Sequence, residues 1–175
     1  MRIAVCGAHK VGKTTLIEKL HEALPEYESK IEAYYELEEL GISFSEEPTF
    51  ENYLVMLEHS TDQITESGDN VIFDRSPLDM LAYIHAVSPY KNFDIQTLYN
   101  RVKDVMNEID LLVFVPIEKP DLIECAKSDL PELRDKVNDI LNDWVRDFNS
   151  NVIKVKGSPE ERREQIVKRM SEIQM

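Results

Sequence analysis

The run Gly7-Ala8-His9-Lys10-Val11-Gly12-Lys13-Thr14 constrains this chain more than any other feature. It follows a short β-branched segment ending at Cys6, and after it Leu16, Ile17, Leu20 and Leu24 recur at helical spacing until Pro25. A strand, a glycine-bounded turn and a helix therefore follow one another without a break. The glycines let the backbone curl until successive N–H groups converge on one point. The helix opening near Lys13 aims the positive end of its dipole at the same place. That concavity suits phosphate oxygens, and G-x-x-x-x-G-K-[ST] is matched at every fixed position. Residues Gly7 to Thr15 are thus the expected nucleotide-phosphate site, with Ala8, His9, Lys10 and Val11 in the curl and Thr15 just inside the helix. Lys13 reaches the β- and γ-phosphates, and the Thr14 hydroxyl is a ligand for Mg²⁺. The expected cofactors are a nucleoside triphosphate and Mg²⁺. His9 and Lys10 fill variable positions and are read as incidental to catalysis, and Cys6 as a small buried residue.

The rest of the chain alternates strand and helix. Strands are expected near 2–6, 28–33, 71–74, 111–115 and 152–155. Helices follow from Phe50, Leu54, Leu57 and Ile64, from Pro77 onward, over 95–107, and along the stripe Leu133, Val137, Ile140, Leu141, Trp144, Val145 and Phe148. A charged helix follows the turn Gly157-Ser158-Pro159. Short apolar strands separated by helices imply an α/β fold, a three-layer sandwich around a mostly parallel sheet. At 175 residues the chain is expected to be a single domain, 1–175, large enough for an unaided core.

Charge and cysteine usage narrow the function. Twenty Lys and Arg against 34 Asp and Glu give a net charge of −14, which repels phosphate backbones and argues against nucleic acid as a partner. Two cysteines, Cys6 and Cys125, are too few for a disulfide framework or a four-ligand zinc site and suit a reducing, cytoplasmic setting. Leu111–Val115 is strand-sized and far short of a bilayer span, so no membrane role is expected.

A second chemical signal is Asp74-Arg75-Ser76-Pro77-Leu78-Asp79, directly after a strand. In a parallel sheet the carboxyl ends of the strands line the ligand crevice, which sets Asp74 beside the phosphate loop. A carboxylate there can hold a water of the Mg²⁺ shell or accept a proton from an attacking hydroxyl. Arg75 offers a planar donor to a phosphate or to the acceptor.

With these residues the chain resembles the P-loop small-molecule kinases, and among them the AAA-like ATPase/kinase group that includes nicotinamide-riboside kinase domains. The resemblance rests on the phosphate loop, the strand ending Asp74-Arg75-Ser76 and the helix reading LDMLAY. It implies a P-loop NTPase sheet of five parallel strands in the order 2-3-1-4-5. It makes Glu32 a binder of the acceptor hydroxyl or its general base, and it sets Gln63 ahead of the Asp-Arg strand. It lays the loop carrying Ser158 and Pro159 against the adenine. A lid is implied over residues 118–134, with Arg134 its best catalytic candidate and Lys127 the second. That segment is poor in bases for such a lid.

The implied function is an ATP-dependent phosphotransferase acting on a hydroxyl of a small nucleoside-like or other metabolite acceptor. The alternative, suggested by the poor lid, is a regulatory nucleotide-binding ATPase with slow or no transfer. A GTPase is excluded by Pro116-Ile117-Glu118-Lys119 where an Asn-Lys-x-Asp guanine reader would stand. Nine acids between Glu26 and Glu51 face one base, Lys30, and this implies a neutral or cationic acceptor over a phosphorylated one.

Overall fold

β1 (Arg2–Cys6) lies at the centre of the sheet in the computed structural model, which describes residues 1–88 and 94–174. It pairs in parallel with β3 (Val71–Asp74) on one side and β4 (Leu111–Phe114) on the other. β2 (Glu28–Lys30) pairs with β3, and β5 (Val152–Lys154) with β4, which gives the all-parallel order β2-β3-β1-β4-β5. The five-stranded sheet and its order match the expectation. Ile3 to Cys6 and Leu111 to Phe114 are completely buried, as the inner strands of a sheet covered on both faces must be.

The helices form two groups. α1 (Lys13–Ala23) packs against α7 (Pro159–Gln174). In the other group α4 (Pro77–Val87) packs against α3 (Phe50–Glu66), α5 (Ile95–Met106) and α6 (Pro131–Phe148). α4 carries no polar stripe, since every residue from Pro77 to Ile84 is buried between its neighbours. α2 (Ala33–Glu39) is short and packs on α3. Among the described residues no helix is long and apolar enough to cross a membrane.

The second strand is shorter than the expected 28–33. It leaves the ladder after Lys30 because the Ile31 carbonyl accepts from Gln63 Nε2 at 3.1 Å and Glu32 turns to cap α2. β4 and β5 each stop one residue early, although Val115 N still bonds Cys6 O at 2.9 Å and Val155 N bonds Phe114 O at 3.1 Å.

The register sets the site. Val5 stands level with Asp74, and Cys6 level with Phe114, so three strands end together. Their outgoing loops, from Gly7, Arg75 and Val115, meet where the connection from β1 runs to β2 on one side of the sheet and that from β3 runs to β4 on the other, the usual position of a ligand crevice.

Candidate active site

Gly7 must be glycine, since a Cβ there would sit 2.5 Å from the Val115 carbonyl oxygen. Gly12, at φ +88°, turns the chain into α1 in the left-handed region that favours glycine. Between them the loop is held by charged side chains. Arg75 Nη1 donates to the Gly7 carbonyl at 3.1 Å, and Lys13 Nζ to that of Ala8 at 2.6 Å. Arg134 donates through Nε to His9 O at 3.1 Å and through Nη2 to Lys10 O at 2.8 Å. Arg162 Nη1 donates to Val11 O at 2.8 Å. Five successive carbonyls thus each accept from a cation.

Lys13 is buried at the mouth of α1, and burial, followed by the nearby Arg75 charge, lowers its pKa to about 8. His9 is fixed in the loop by hydrogen bonds. Its N–H donates to the Tyr83 hydroxyl at 2.9 Å, and its ring bonds the same hydroxyl through Nδ1 at 2.7 Å. Nε2 lies 2.6 Å from the Asp129 carbonyl, which can only accept, so the proton sits on Nε2 and Tyr83 donates to Nδ1. Burial lowers the His9 pKa, in keeping with a neutral ring.

Thr14 Oγ1 lies 3.4 Å from Asp74 Oδ2. The other oxygen, Asp74 Oδ1, is buried with no hydrogen-bond partner among the described residues, and burial, then the Glu32 charge, pushes this carboxyl up. A hydroxyl beside a carboxylate with a spare buried oxygen fits two positions of a Mg²⁺ shell. Among the described residues no cluster of three or more acidic, His or Cys side chains could hold a metal alone. Mg²⁺ characteristically draws its remaining ligands from substrate phosphates and water, so this donor set suits it.

Arg75 occupies the left-handed region at φ +75° and is buried. Its Nε lies 2.5 Å from Glu32 Oε1 in an ion pair that does not meet hydrogen-bond geometry, and its Nη1 is 3.7 Å from Asp79 Oδ1. The Arg75 guanidinium stands over the Tyr83 ring, 5.6 Å from its centroid. Burial opposes its charge, but Glu32, Tyr83 and Asp79 outweigh that and raise its pKa. Asp79 is fully buried and accepts from Gly7 N at 2.8 Å, Ser76 N at 2.9 Å and Ser76 Oγ at 2.8 Å. Burial pushes the Asp79 carboxyl up, against the pull of Arg75, Lys13 and those donors.

Two cavities meet at this pair. One, about 280 Å³, follows the loop from His9 to Thr15 and is bounded by Glu32 and Arg75. The other, about 250 Å³, opens from His9, Lys10, Glu32 and Arg75 toward Tyr53, Tyr83, Met56 and Met80. Tyr53 and Tyr83 are stacked at 4.9 Å with a 15° interplanar angle. Glu46 and Asp129 add negative charge to the second cavity, and Lys10 lies 3.8 Å from Asp129.

The structure thus brings Lys13, Thr14, Asp74, Arg75 and Glu32 together. It places Arg134 elsewhere than a free lid: the side chain is buried, bound to the loop carbonyls and paired with Asp121 at 2.6 Å. Lys127 is exposed on a 3₁₀ turn, Lys127–Asp129. Gln63 braces α2 through Glu36 and does not line either cavity. Ser158 and Pro159 begin α7 outside both cavities, with Ser158 Oγ accepting from Glu161 N at 3.2 Å. Sequence reasoning missed Asp79, Tyr83 and Arg162. Asp79 had a signal, Ser76-Pro77-Leu78-Asp79, which reads as a capping box at a helix start.

Residues 2–162 match a protein family described as an AAA domain. The chain belongs to that AAA-domain family. No curated protein matches its sequence. Its fold is similar to that of several solved kinases. A deoxyadenosine kinase from M. mycoides superposes with a TM-score of 0.65 at 20% identity, over 99% of this chain and 100% of that one. An NadR protein in complex with NAD and AMP-PNP gives 0.69 at 19% identity, over 98% of this AAA domain and 48% of the NadR chain. Shikimate kinase from Aquifex aeolicus gives 0.62 at 17% identity, over 98% and 97% of the two chains. At such identities the likeness concerns the fold, and this AAA domain has the P-loop kinase fold.

Proposed function

We propose that this protein is an ATP-dependent kinase of a small hydroxyl-bearing acceptor, with the phosphates in the loop cleft and the acceptor in the adjoining aromatic cavity. One observation carries the reading. Glu32 and Arg75 form an ion pair at the boundary shared by the two cavities, where an acceptor hydroxyl would meet a γ-phosphate. A protein that only binds nucleotide has no need of a second cavity there. The kinase neighbours, among them a deoxyadenosine kinase with bound dATP, support the same class.

In this reading Lys13 leaves the Ala8 carbonyl for the β- and γ-phosphate oxygens and offsets charge on the transferring group. Thr14 and Asp74 hold Mg²⁺, which when bound neutralises phosphate charge and helps align the transferring group. Glu32 accepts the hydrogen bond of the acceptor hydroxyl and orients it in line. Arg75 pairs with Glu32 and faces the incoming phosphoryl oxygens. Tyr53 and Tyr83 supply an apolar, aromatic surface for a planar ring. Glu32, Glu46 and Asp129 around one ion-paired arginine and Lys10 make the cavity unfavourable to a phosphate on the acceptor.

The regulatory-ATPase reading draws on a different observation, the commitment of Arg134 to the loop and Asp121, which keeps that charge off the transferring group in this conformation. ADP release measured with Mg²⁺·ATP across a panel of nucleosides and small alcohols separates the two. Acceptor-dependent turnover supports the kinase. Slow turnover indifferent to every acceptor supports the regulator.

A further inference from the structure

Two helices of this fold begin with the same four-residue pattern. α6 opens Pro131-Glu132-Leu133-Arg134 and α7 opens Pro159-Glu160-Glu161-Arg162. Proline at the first position and glutamate in the first turn suit a helix start. Arginine in the fourth position does not, because a cation there meets the positive end of the dipole. Both arginines are nevertheless buried, Arg134 at 2% and Arg162 at 5% exposure.

Both point at the same target. Arg134 takes the His9 and Lys10 carbonyls and Arg162 takes that of Val11. Their counter-ions come from one short segment after β4. Asp121 pairs with Arg134 at 2.6 Å, and Glu118 pairs with Arg162 at 2.8 Å while also accepting from Gly157 N at 2.9 Å. Arg162 Nε is buried with no hydrogen-bond partner among the described residues. A buried arginine with an unpaired nitrogen, set at the wrong end of a helix and matched by a partly exposed carboxylate, is a poor device for stability alone.

We propose that Arg134 and Arg162 are positioning residues that clamp the outer side of the phosphate loop and fix its N–H groups for phosphate before a nucleotide arrives. The clamp acts through the planar peptide unit: holding carbonyl i fixes the N–H of residue i+1. Arg134 therefore sets the Lys10 and Val11 amides, and Arg162 sets that of Gly12. A carbonyl released from the clamp could swing toward the cleft and repel phosphate oxygens. This inference rests on the nucleotide-binding part of the proposed function and adds residues that never touch the substrate.

The test uses the full ¹⁵N-labelled chain, with Arg162→Met, Arg134→Met and Arg162→Lys variants. Amide spectra without ligand are compared with titration of Mg²⁺·AMP-PNP. In Arg162→Met the Gly12 amide is expected to shift or broaden while Ile3, Ala4 and Val5 stay unmoved. In Arg134→Met the Lys10 and Val11 amides move instead. Each Met variant is expected to weaken AMP-PNP binding by roughly 10- to 100-fold, as loss of a charge-assisted hydrogen bond implies. Arg162→Lys, which keeps one cationic donor, regains part of that loss. AMP-PNP affinity within twofold of wild type and unmoved loop amides in both Met variants would overturn the proposal. So would loss of core and loop amides together that the lysine variant shares, which would make Arg162 purely structural. Failure of the wild type itself to bind AMP-PNP removes the nucleotide reading, and the amide comparison still decides whether the arginines hold the loop.

Discussion

Arg75 and Asp79, four residues apart at the start of α4, grip opposite ends of one glycine: Arg75 Nη1 donates to the Gly7 carbonyl at 3.1 Å and Asp79 Oδ1 accepts from the Gly7 N–H at 2.8 Å. The loop from Gly7 to Thr14 is therefore seated on the helix that follows the third strand. Replacing Asp79 by Ala removes the acceptor for three donors and leaves Arg75 with one fewer counter-charge. Asp79→Ala should lower unfolding stability by about 3–5 kcal/mol, the usual cost of breaking a buried ionic network. Urea denaturation checks this, and a loss under about 1 kcal/mol would show that the seat is dispensable.

Lys13 carries a pH prediction. Its pKa in the ligand-free protein is lowered to about 8 by burial and then by Arg75. Bound phosphate favours the ammonium form, so binding takes up a proton once the free side chain has lost its own. Affinity for Mg²⁺·ATP should be flat below about pH 8 and fall by up to about tenfold per unit above it. Calorimetry in two buffers of different ionisation enthalpy should show the proton uptake. Lys13→Ala should bind weakly at every pH with the slope gone and the fold intact, because this side chain faces the cleft.

Asp74 should separate chemistry from binding. Asp74→Asn retains shape but removes the charge beside Thr14, so kcat should fall by roughly 10²-fold or more while ATP affinity changes by less than about tenfold. Steady-state kinetics with a nucleotide titration read both. Equal losses would make Asp74 structural.

The acceptor cavity should discriminate by charge. With Glu32, Glu46 and Asp129 around it, a nucleoside should show a higher kcat/KM than the matching nucleoside monophosphate by about tenfold or more. The reverse preference would place the acceptor elsewhere.

Most of the sheet was legible in the chain because its inner strands are continuous apolar runs, Ile3 to Cys6 and Leu111 to Phe114, and each ends at a glycine, an aspartate or a proline-bearing loop. The phosphate loop was legible for the same reason, since its chemistry is local and its spacing fixed. What lay hidden was long-range. Arg162 reaches a carbonyl 151 residues away, and within a helix reading PEERREQIVKR nothing local distinguishes it from Arg163, which is more exposed. Arg134 was singled out as a charge for the lid, yet its bonds go to backbone oxygens of the loop, a pairing that no spacing rule encodes. The Tyr53–Tyr83 stack likewise joins two helices, and the helical stripe Phe50, Leu54, Leu57 and Ile64 passes over Tyr53.

The claim that this protein transfers a phosphoryl group is tested most directly by mass spectrometry of a nucleoside mixture incubated with the protein and Mg²⁺·ATP. A monophosphorylated nucleoside should accumulate in step with ADP and be lost in Lys13→Ala. ADP and inorganic phosphate forming together, at a rate no acceptor changes and with no phosphorylated nucleoside, would contradict the account.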